Sequence, residues 1–335
     1  MLLKDITNMD KHKINLSIVV PMYNEAENVF AFYDKVVSVL EKMNLPFEIV
    51  CVNDGSNDNT LELLLSLRKR DQRIIVIDFS RNFGKEIALS AGIDFARGEA
   101  IIPIDADLQD PPELIPELVS KWHEGYDVVY ATRTQREGET FFKKFTSHVF
   151  YRIIRLLTRF DIPMDTGDFR LMDRRVVKSL KKLREQHRFM KGLFSWVGFK
   201  QVSVPYQREP RFAGKTKWNY WKLWNFALEG ITSFSYAPLQ FATYFGLFVA
   251  VIAFVYGIFM LFKTLFYGNP VPGYPSLMVV ILFLGGVQLL TIGIIGEYIG
   301  RTYNESKRRP LYIVRETYGV YNRTNHSSNN KYYIK

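Results

Sequence analysis

The sequence predicts an α/β protein: a mainly parallel sheet with helices on both faces, followed by a two-helix membrane hairpin. Three observations carry that expectation. Short apolar runs rich in Val and Ile alternate with amphipathic segments through the first half of the 335-residue chain. Polar and acidic clusters follow the ends of those runs. Two long stretches in the second half, Ala237 to Phe262 and Gly268 to Ile295, contain no charged residue.

The predicted strands are Leu16 to Val20, Phe47 to Val52, Ile74 to Phe79, Ala100 to Ile104 and Asp127 to Ala131. Each is short and almost wholly apolar, as a strand covered on both faces must be. Helices are expected between them at about 26–42, 58–70, 84–96 and 113–123. Asn57 or Asp58 suits the N-cap of the second, and Pro112 an early helical position in the fourth. A βαβα order produces a parallel sheet covered by helices. Ligands of such sheets bind beyond the carboxyl ends of the strands. The polar clusters stand there: Tyr23-Asn24-Glu25, Asn53-Asp54-Gly55-Ser56 and Asp105-Ala106-Asp107.

Each uncharged stretch is long enough to cross a hydrocarbon core of about 30 Å at about 1.5 Å per residue. A buried helical hairpin in a soluble domain is the competing reading. Lys215, Lys217 and Lys222 precede the spans, and Arg301, Lys307, Arg308 and Arg309 follow them. The positive-inside rule then places both termini in the cytoplasm.

Two flanking segments read as interfacial. In residues 140–160, Phe142, Phe145, Val149, Ile153, Leu156 and Phe160 recur at helical spacing, with Lys144, His148, Arg152, Arg155 and Arg159 on the opposite face. Such a helix can lie in a membrane surface, or pack on the domain as an ordinary amphipathic helix. Residues 213–235 carry the aromatic run WNYWKLWNF, which suits the headgroup belt. The expected organisation is a catalytic domain over 1–212, the second interface helix over 213–235, a hairpin over 237–299 and a cytoplasmic tail over 300–335. The tail ends in a polar run, NRTNHSSNNKYYIK, expected to be mobile.

The net charge of +10 calls for an anionic partner. Nucleic acid is disfavoured, because the basic residues cluster beside the membrane segments. Cys51 is the single cysteine, which excludes a disulfide framework and fits a reducing compartment. The opening residues, MLLKDITNMDKHK, have no apolar core of signal-peptide length.

The sharpest feature is IPIDADLQDPPE, residues 102–113, where an apolar strand ends in three aspartates. Side chains on a strand repeat every second residue, so Asp105 and Asp107 point to one side. Paired carboxylates of this kind can hold a hard cation, Mg²⁺ or Mn²⁺, whose shell substrate phosphates complete, though many surface loops carry the same Asp-x-Asp pattern. Asp110 precedes Pro111 and reads as a helix cap.

In order, SIVVPMYNEAENV (17–29), VNDGSNDNT (52–60), SRNFGKEIALSAGIDFARGE (80–99) and PIDADLQDPPE (103–113) resemble the family 2 glycosyltransferases of the A-type fold. DTGDFRLMDR (165–174), REPRFAGKTKW (208–218) and IGEYIGRTYNESKRRPLYIV (295–314) extend the likeness to the polyprenyl-phosphate sugar synthases. Within that subgroup the bacterial enzymes that glucosylate undecaprenyl phosphate are most similar. The resemblance implies a nucleotide sugar donor, a polyprenyl phosphate acceptor, a divalent metal, a bacterial inner-membrane location and a homo-oligomer.

It also implies residue roles. Pro21, Tyr23, Asn24, Glu25 and Asp54 would line the nucleotide, Asp54 as base reader or as a turn residue before Gly55. Asp105 and Asp107 would hold metal and diphosphate, and Gln109 would touch sugar or phosphate. Lys85 would reach a phosphate, or stand as a surface lysine at a helix start. Asp168 would act as base or acceptor organiser, or pair with Arg170. Arg133, Arg136, Arg211 and Lys215 would hold the acceptor phosphate. The family's outcome is a single displacement with inversion. UDP-glucose is the expected donor; relatives of this kind also use GDP-mannose or UDP-linked aminoarabinose. A processive polysaccharide synthase is disfavoured because EQHRFMKGLFSW (185–196) lacks the Gln-x-x-Arg-Trp motif. A membrane scaffold with a decayed transferase domain is disfavoured by intact Asp105 and Asp107.

Overall fold

The computed structural model describes residues 14–134, 163, 166–207, 232, 235–267 and 273–320. The helix expected at 140–160 lies outside them. So does the segment 213–235, apart from residues 232 and 235, and so does the polar end after residue 320.

All five predicted strands form. They are β1 (Leu16–Met22), β2 (Phe47–Asn53), β3 (Ile74–Phe79), β4 (Ala100–Pro103) and β5 (Val128–Arg133). β2, β3 and β4 are buried at every residue, which is why their sequences are apolar without alternation. Three further strands join them: β6 (Thr166–Asp173), β7 (Gln201–Tyr206) and β8 (Val314–Tyr318). The sheet order is β7-β5-β6-β4-β1-β2-β3-β8. β1 pairs in parallel with β2 and β4, and β2 with β3. β6 runs antiparallel between β4 and β5, and β8 lies antiparallel on β3.

The helices are α1 (Val29–Lys42), α2 (Thr60–Arg70), α3 (Lys85–Phe95), α4 (Ile115–His123), α5 (Arg174–Leu180) and α6 (Met190–Trp196). They cover both faces. Leu16, Ile18 and Val20 join Phe32, Val36, Leu64 and Leu118 in one core. Val19, Val50 and Val52 join Leu89, Ile93, Val176 and Phe194 in the other. Successive β1 residues thus point to opposite helical layers, as strand geometry requires.

Some boundaries move for identifiable reasons. α1 starts at Val29, because residues 24–26 bond to the next strand's loop: Asn24 N donates to Ser56 Oγ (3.0 Å) and Ala26 N to Asp58 Oδ2 (3.2 Å). The N-cap of α2 is Asn59, beyond the two residues expected, and makes no side-chain bond, while Asp58 accepts from Thr60 N at 3.1 Å. A 3₁₀ turn over Pro112–Leu114 precedes α4, with a proline in its first positions as expected.

Beyond β7 come α7 (Ala237–Tyr267) and α8 (Tyr274–Ser306). Both are long and apolar enough to cross a membrane, and only 6% and 0% of their most apolar windows are buried. Phe248, Phe254 and Leu289 are 62%, 70% and 72% exposed. These faces are not the core of a soluble domain, which removes the buried-hairpin alternative. After α8 the chain returns to the sheet. Tyr312 stacks on Phe79 with ring centroids 5.2 Å apart, and β8 completes the β3 edge. The sheet therefore takes its last strand from beyond the hairpin.

Candidate active site

The carboxyl edge of the sheet collects the chemistry. β1, β2, β4 and β5 end there. β6 runs the other way, so its first residues arrive at the same edge, with Thr166 in register with Thr132. Residues 23–25, 53–57, 80–85, 105–110, 133 and 166–168 therefore converge.

Pro21 sits within β1, in register with Val52. Tyr23, Asn24 and Glu25 follow it, each partly buried. Asn24 has φ 52° and accepts from Asn57 N at 2.8 Å, locking the first two strand-end loops together. Glu25 Oε2 accepts from Asn28 Nδ2 at 2.6 Å. The Asp54 carboxylate, 2% exposed, grips a third loop. It accepts from Phe83 N (2.7 Å), Gly84 N (2.9 Å) and Asn82 Nδ2 (3.0 Å). Burial pushes its carboxyl up, and the Phe83 and Gly84 amides pull it back. Gly55 permits this approach: its φ is +63°, and a Cβ there would lie 2.5 Å from the Asn82 nitrogen.

Gripping that loop delivers Lys85. Its ammonium lies 2.8 Å from Asp105 and 2.8 Å from Asp168. Lys85 stands exposed at the start of α3, as the surface reading had it, and bridges two carboxylates. Partial burial opposes its charge, since 44% of the side chain is exposed, and Asp105 and then Asp168 overcome that, holding the ammonium well above the usual lysine range. Burial alone would raise the Asp168 carboxyl. Lys85, Lys191 and Arg170 reverse that and hold it well below the usual carboxylate range. The alternative Asp168–Arg170 pairing does not form: the Arg170 guanidinium donates to Gly167 O at 2.8 Å and sits over the Phe194 ring. Asp168 Oδ1 is buried with no hydrogen-bond partner among the described residues.

Asp107 is 7% exposed and accepts from Gln109 N at 3.2 Å through Oδ1. Leu108 between them turns with φ 57°. Asp110 does not cap the following turn, whose N-cap makes no side-chain bond. Instead it is 3% exposed and accepts from the Tyr206 hydroxyl. The reason is tertiary: Tyr206 ends β7, directly over the acidic loop. Arg133 donates from Nε to Tyr206 Oη at 3.2 Å. Arg136, Arg211 and Lys215 lie outside the described residues.

Sequence reasoning missed Glu86 and Tyr206. Glu86 accepts from Met190 N at 3.1 Å; burial, then repulsion from Asp168, pushes its carboxyl up to about 7. Nothing in local spacing flags either residue, since their partners lie about 100 positions away.

The residues fit a divalent ion of one kind. Among the described residues no group of three or more His, Cys, Asp or Glu forms a ready cage. Asp105 and Asp107 supply two hard oxygen donors, and the partnerless Asp168 Oδ1 adds negative field beside them. That set suits an ion brought in on a diphosphate, which fills the rest of its shell.

Residues 17–181 match glycosyl transferase family 2, and residues 237–302 match the GtrB C-terminal hairpin. The chain is 58% identical to an uncharacterised glycosyltransferase of Synechocystis sp., over 92% of this chain and 96% of that protein. The chain belongs to glycosyl transferase family 2. It is 51% identical to the prophage bactoprenol glucosyl transferase homolog of Escherichia coli, over 90% of this chain and 99% of that one. It is 52% identical to the bactoprenol glucosyl transferase of Shigella phage SfV, over 90% and 98%. The family 2 match thus covers β1 to β6 and the loops at their strand-end site, β7 and β8 lie beyond it, and the matched hairpin is the α7–α8 pair.

Proposed function

We propose that this glycosyltransferase moves glucose from UDP-glucose to a polyprenyl phosphate, with inversion, at the cytoplasmic face of a bacterial membrane that its hairpin spans. The observation that carries the reading is the Lys85–Asp105–Asp168 bridge, set at the sheet's carboxyl edge with Arg133 beside it. The names of the bactoprenol relatives support the acceptor and the sugar.

Each residue then has a task. Asp54 fixes the 82–84 loop and uses three of about four acceptor sites, which leaves one for a pyrimidine N–H. Tyr23, Asn24 and Glu25 line the nucleotide side. Asp105 and Asp107 would hold Mg²⁺ or Mn²⁺ on the donor diphosphate. Bound there, such an ion supplies Lewis-acid stabilisation of the departing nucleoside diphosphate. Gln109 orients sugar or phosphate from the same loop. Asp168, ionised and acid-shifted, is a poor proton acceptor, and a phosphate nucleophile is already anionic near neutral pH. Its task is to hold Lys85 and organise the acceptor. Arg133, Arg136, Arg211 and Lys215 offset the repulsion between two anionic substrates in a low-dielectric site.

The test is a donor screen on the purified full chain with Mg²⁺ or Mn²⁺ and a short-chain polyprenyl phosphate. Transfer from UDP-glucose with an inverted anomeric centre is expected. Transfer from GDP-mannose alone would overturn the donor, and a retained anomer would overturn the single displacement.

A further inference from the structure

Arg133 stands within ion-pair reach of a buried carboxylate. Asp110 is buried, and its Oδ1 lies 4.0 Å from the Arg133 guanidinium. A direct bidentate pair at this distance range would consume the fork that grips phosphate. That pair does not form, because the Tyr206 hydroxyl stands between the two. A phenol has one proton to give. Tyr206 gives it to Asp110, so an oxygen lone pair faces Arg133 Nε, which donates to it at 3.2 Å. The two Nη groups make no other hydrogen bond among the described residues. Gly167 keeps the space clear, since a Cβ there would stand 3.2 Å from Arg133 Nη2.

The spacer is rigidly placed. Tyr206 is 6% exposed, Thr134 N bonds its carbonyl at 3.0 Å, and its ring meets Phe169 edge-on. We propose that Tyr206 and Asp110 are positioning residues for acceptor binding. Asp110 fixes the direction of the phenol proton. Tyr206 holds Arg133 off Asp110 and aims the guanidinium fork at the acceptor phosphate. The proposal rests on the acceptor reading of Arg133 given above, and extends it to residues 96 positions apart in the chain.

The test measures acceptor and donor kinetics separately for the full chain in neutral detergent, with short-chain polyprenyl phosphate and UDP-glucose. Tyr206→Phe removes the spacer bond and lets Arg133 fall onto Asp110. Its kcat/KM for the acceptor is expected to drop about 10-fold or more, the effect of losing a charge-assisted contact, while the donor KM stays unchanged. Tyr206→Phe/Asp110→Asn removes the competing carboxylate as well and is expected to regain much of the loss. A merely structural tyrosine would show no such rescue. Thermal melting and nucleoside diphosphate binding check that each variant folds. Wild-type acceptor kinetics in Tyr206→Phe, with Arg133→Ala impaired, would overturn the spacer alone. A loss in Tyr206→Phe that Asp110→Asn does not relieve would overturn it too. Unchanged acceptor kinetics in Arg133→Ala would overturn both the spacer and the acceptor reading.

Discussion

At the amino end of the sheet, Glu48 is 1% exposed and surrounded by donors: Ser17 Oγ at 2.6 Å, Arg97 N at 2.6 Å and the Arg97 guanidinium at 2.7 Å. Ser17 Oγ in turn accepts from Gly98 N at 2.7 Å. At the carboxyl end, one ammonium serves two carboxylates, and Asp168 keeps a buried oxygen with no partner among the described residues. Both clusters are ionic and both sit at strand ends. The first is closed, with its negative charge matched by donors. The second, though cations surround Asp168, keeps an unfilled buried acceptor. A folded chain tolerates an unmatched buried group where something else will meet it, so the imbalance marks the working end.

Breaking the open cluster should cost activity. Asp107→Asn and Asp105→Asn are each expected to lower transfer by about 100-fold or more, the scale of losing a group aimed at developing charge. The melting temperature should hold. Full transfer by both variants in chelator-treated buffer would break the comparison. Lys85→Met comes next. It should lower kcat by about 10-fold and shift the acid limb of the pH–rate profile upward, because Asp168 loses the nearby charge that depresses its carboxyl. An unmoved acid limb would detach Lys85 from Asp168.

Breaking the closed cluster should do the reverse. Glu48→Gln is expected to destabilise by about 2 kcal/mol, as a buried acceptor of several donors, with kcat unchanged well below the melting temperature. A kcat loss at full stability would remove the contrast between the two ends.

A pH-dependent effect on stability, with activity untouched, sharpens the picture beneath the open cluster. The Glu86 carboxyl is raised when folded, so the folded state holds its proton more tightly than the unfolded chain. Its contribution is fully present below the unfolded value of about 4.3 and is lost as pH rises through about 7. Stability should fall across that window by up to about 1.4 kcal/mol per pH unit. Glu86→Gln should flatten that slope in denaturant titrations. An unchanged slope would place the titration elsewhere. Asp168 acts oppositely: its depressed carboxyl contributes above the unfolded value of about 3.9, and that contribution disappears only in acid.

Much of this was legible without coordinates. Val and Ile runs at 16–20, 47–52 and 74–79 announce doubly covered strands, because burial on both faces leaves no room for polar alternation. Aspartates after a strand announce a positive partner, because repelling charges need one, and the Lys85 ammonium stands on Asp105. An uncharged stretch of membrane length announces α7 and α8, because no polar group there has a local partner but the helix itself. Each signal is local: a period, a run or a strand end.

Tertiary structure decided the rest. No local pattern says that β6 inserts antiparallel between β4 and β5, yet that reversal carries Asp168 to the carboxyl edge. Nor does one say that β8, beyond the hairpin, completes β3. Lys85 meets Asp168 only because Asp54 grips the loop before it. Asp110, a cap by its neighbours, becomes Tyr206's acceptor because β7 ends above it. The sequence by itself determined the five doubly covered strands, the helices between them and the two apolar helices of membrane length, since those follow from the chain's own period and polarity; β6, β7, β8, α5 and α6 carried no such signal. The packed sheet alone decided which charges share a site. A hydrogen bond or ion pair depends on a distance of about 3 Å, and residues 80 to 100 positions apart acquire that distance only when the strands between them have taken their order.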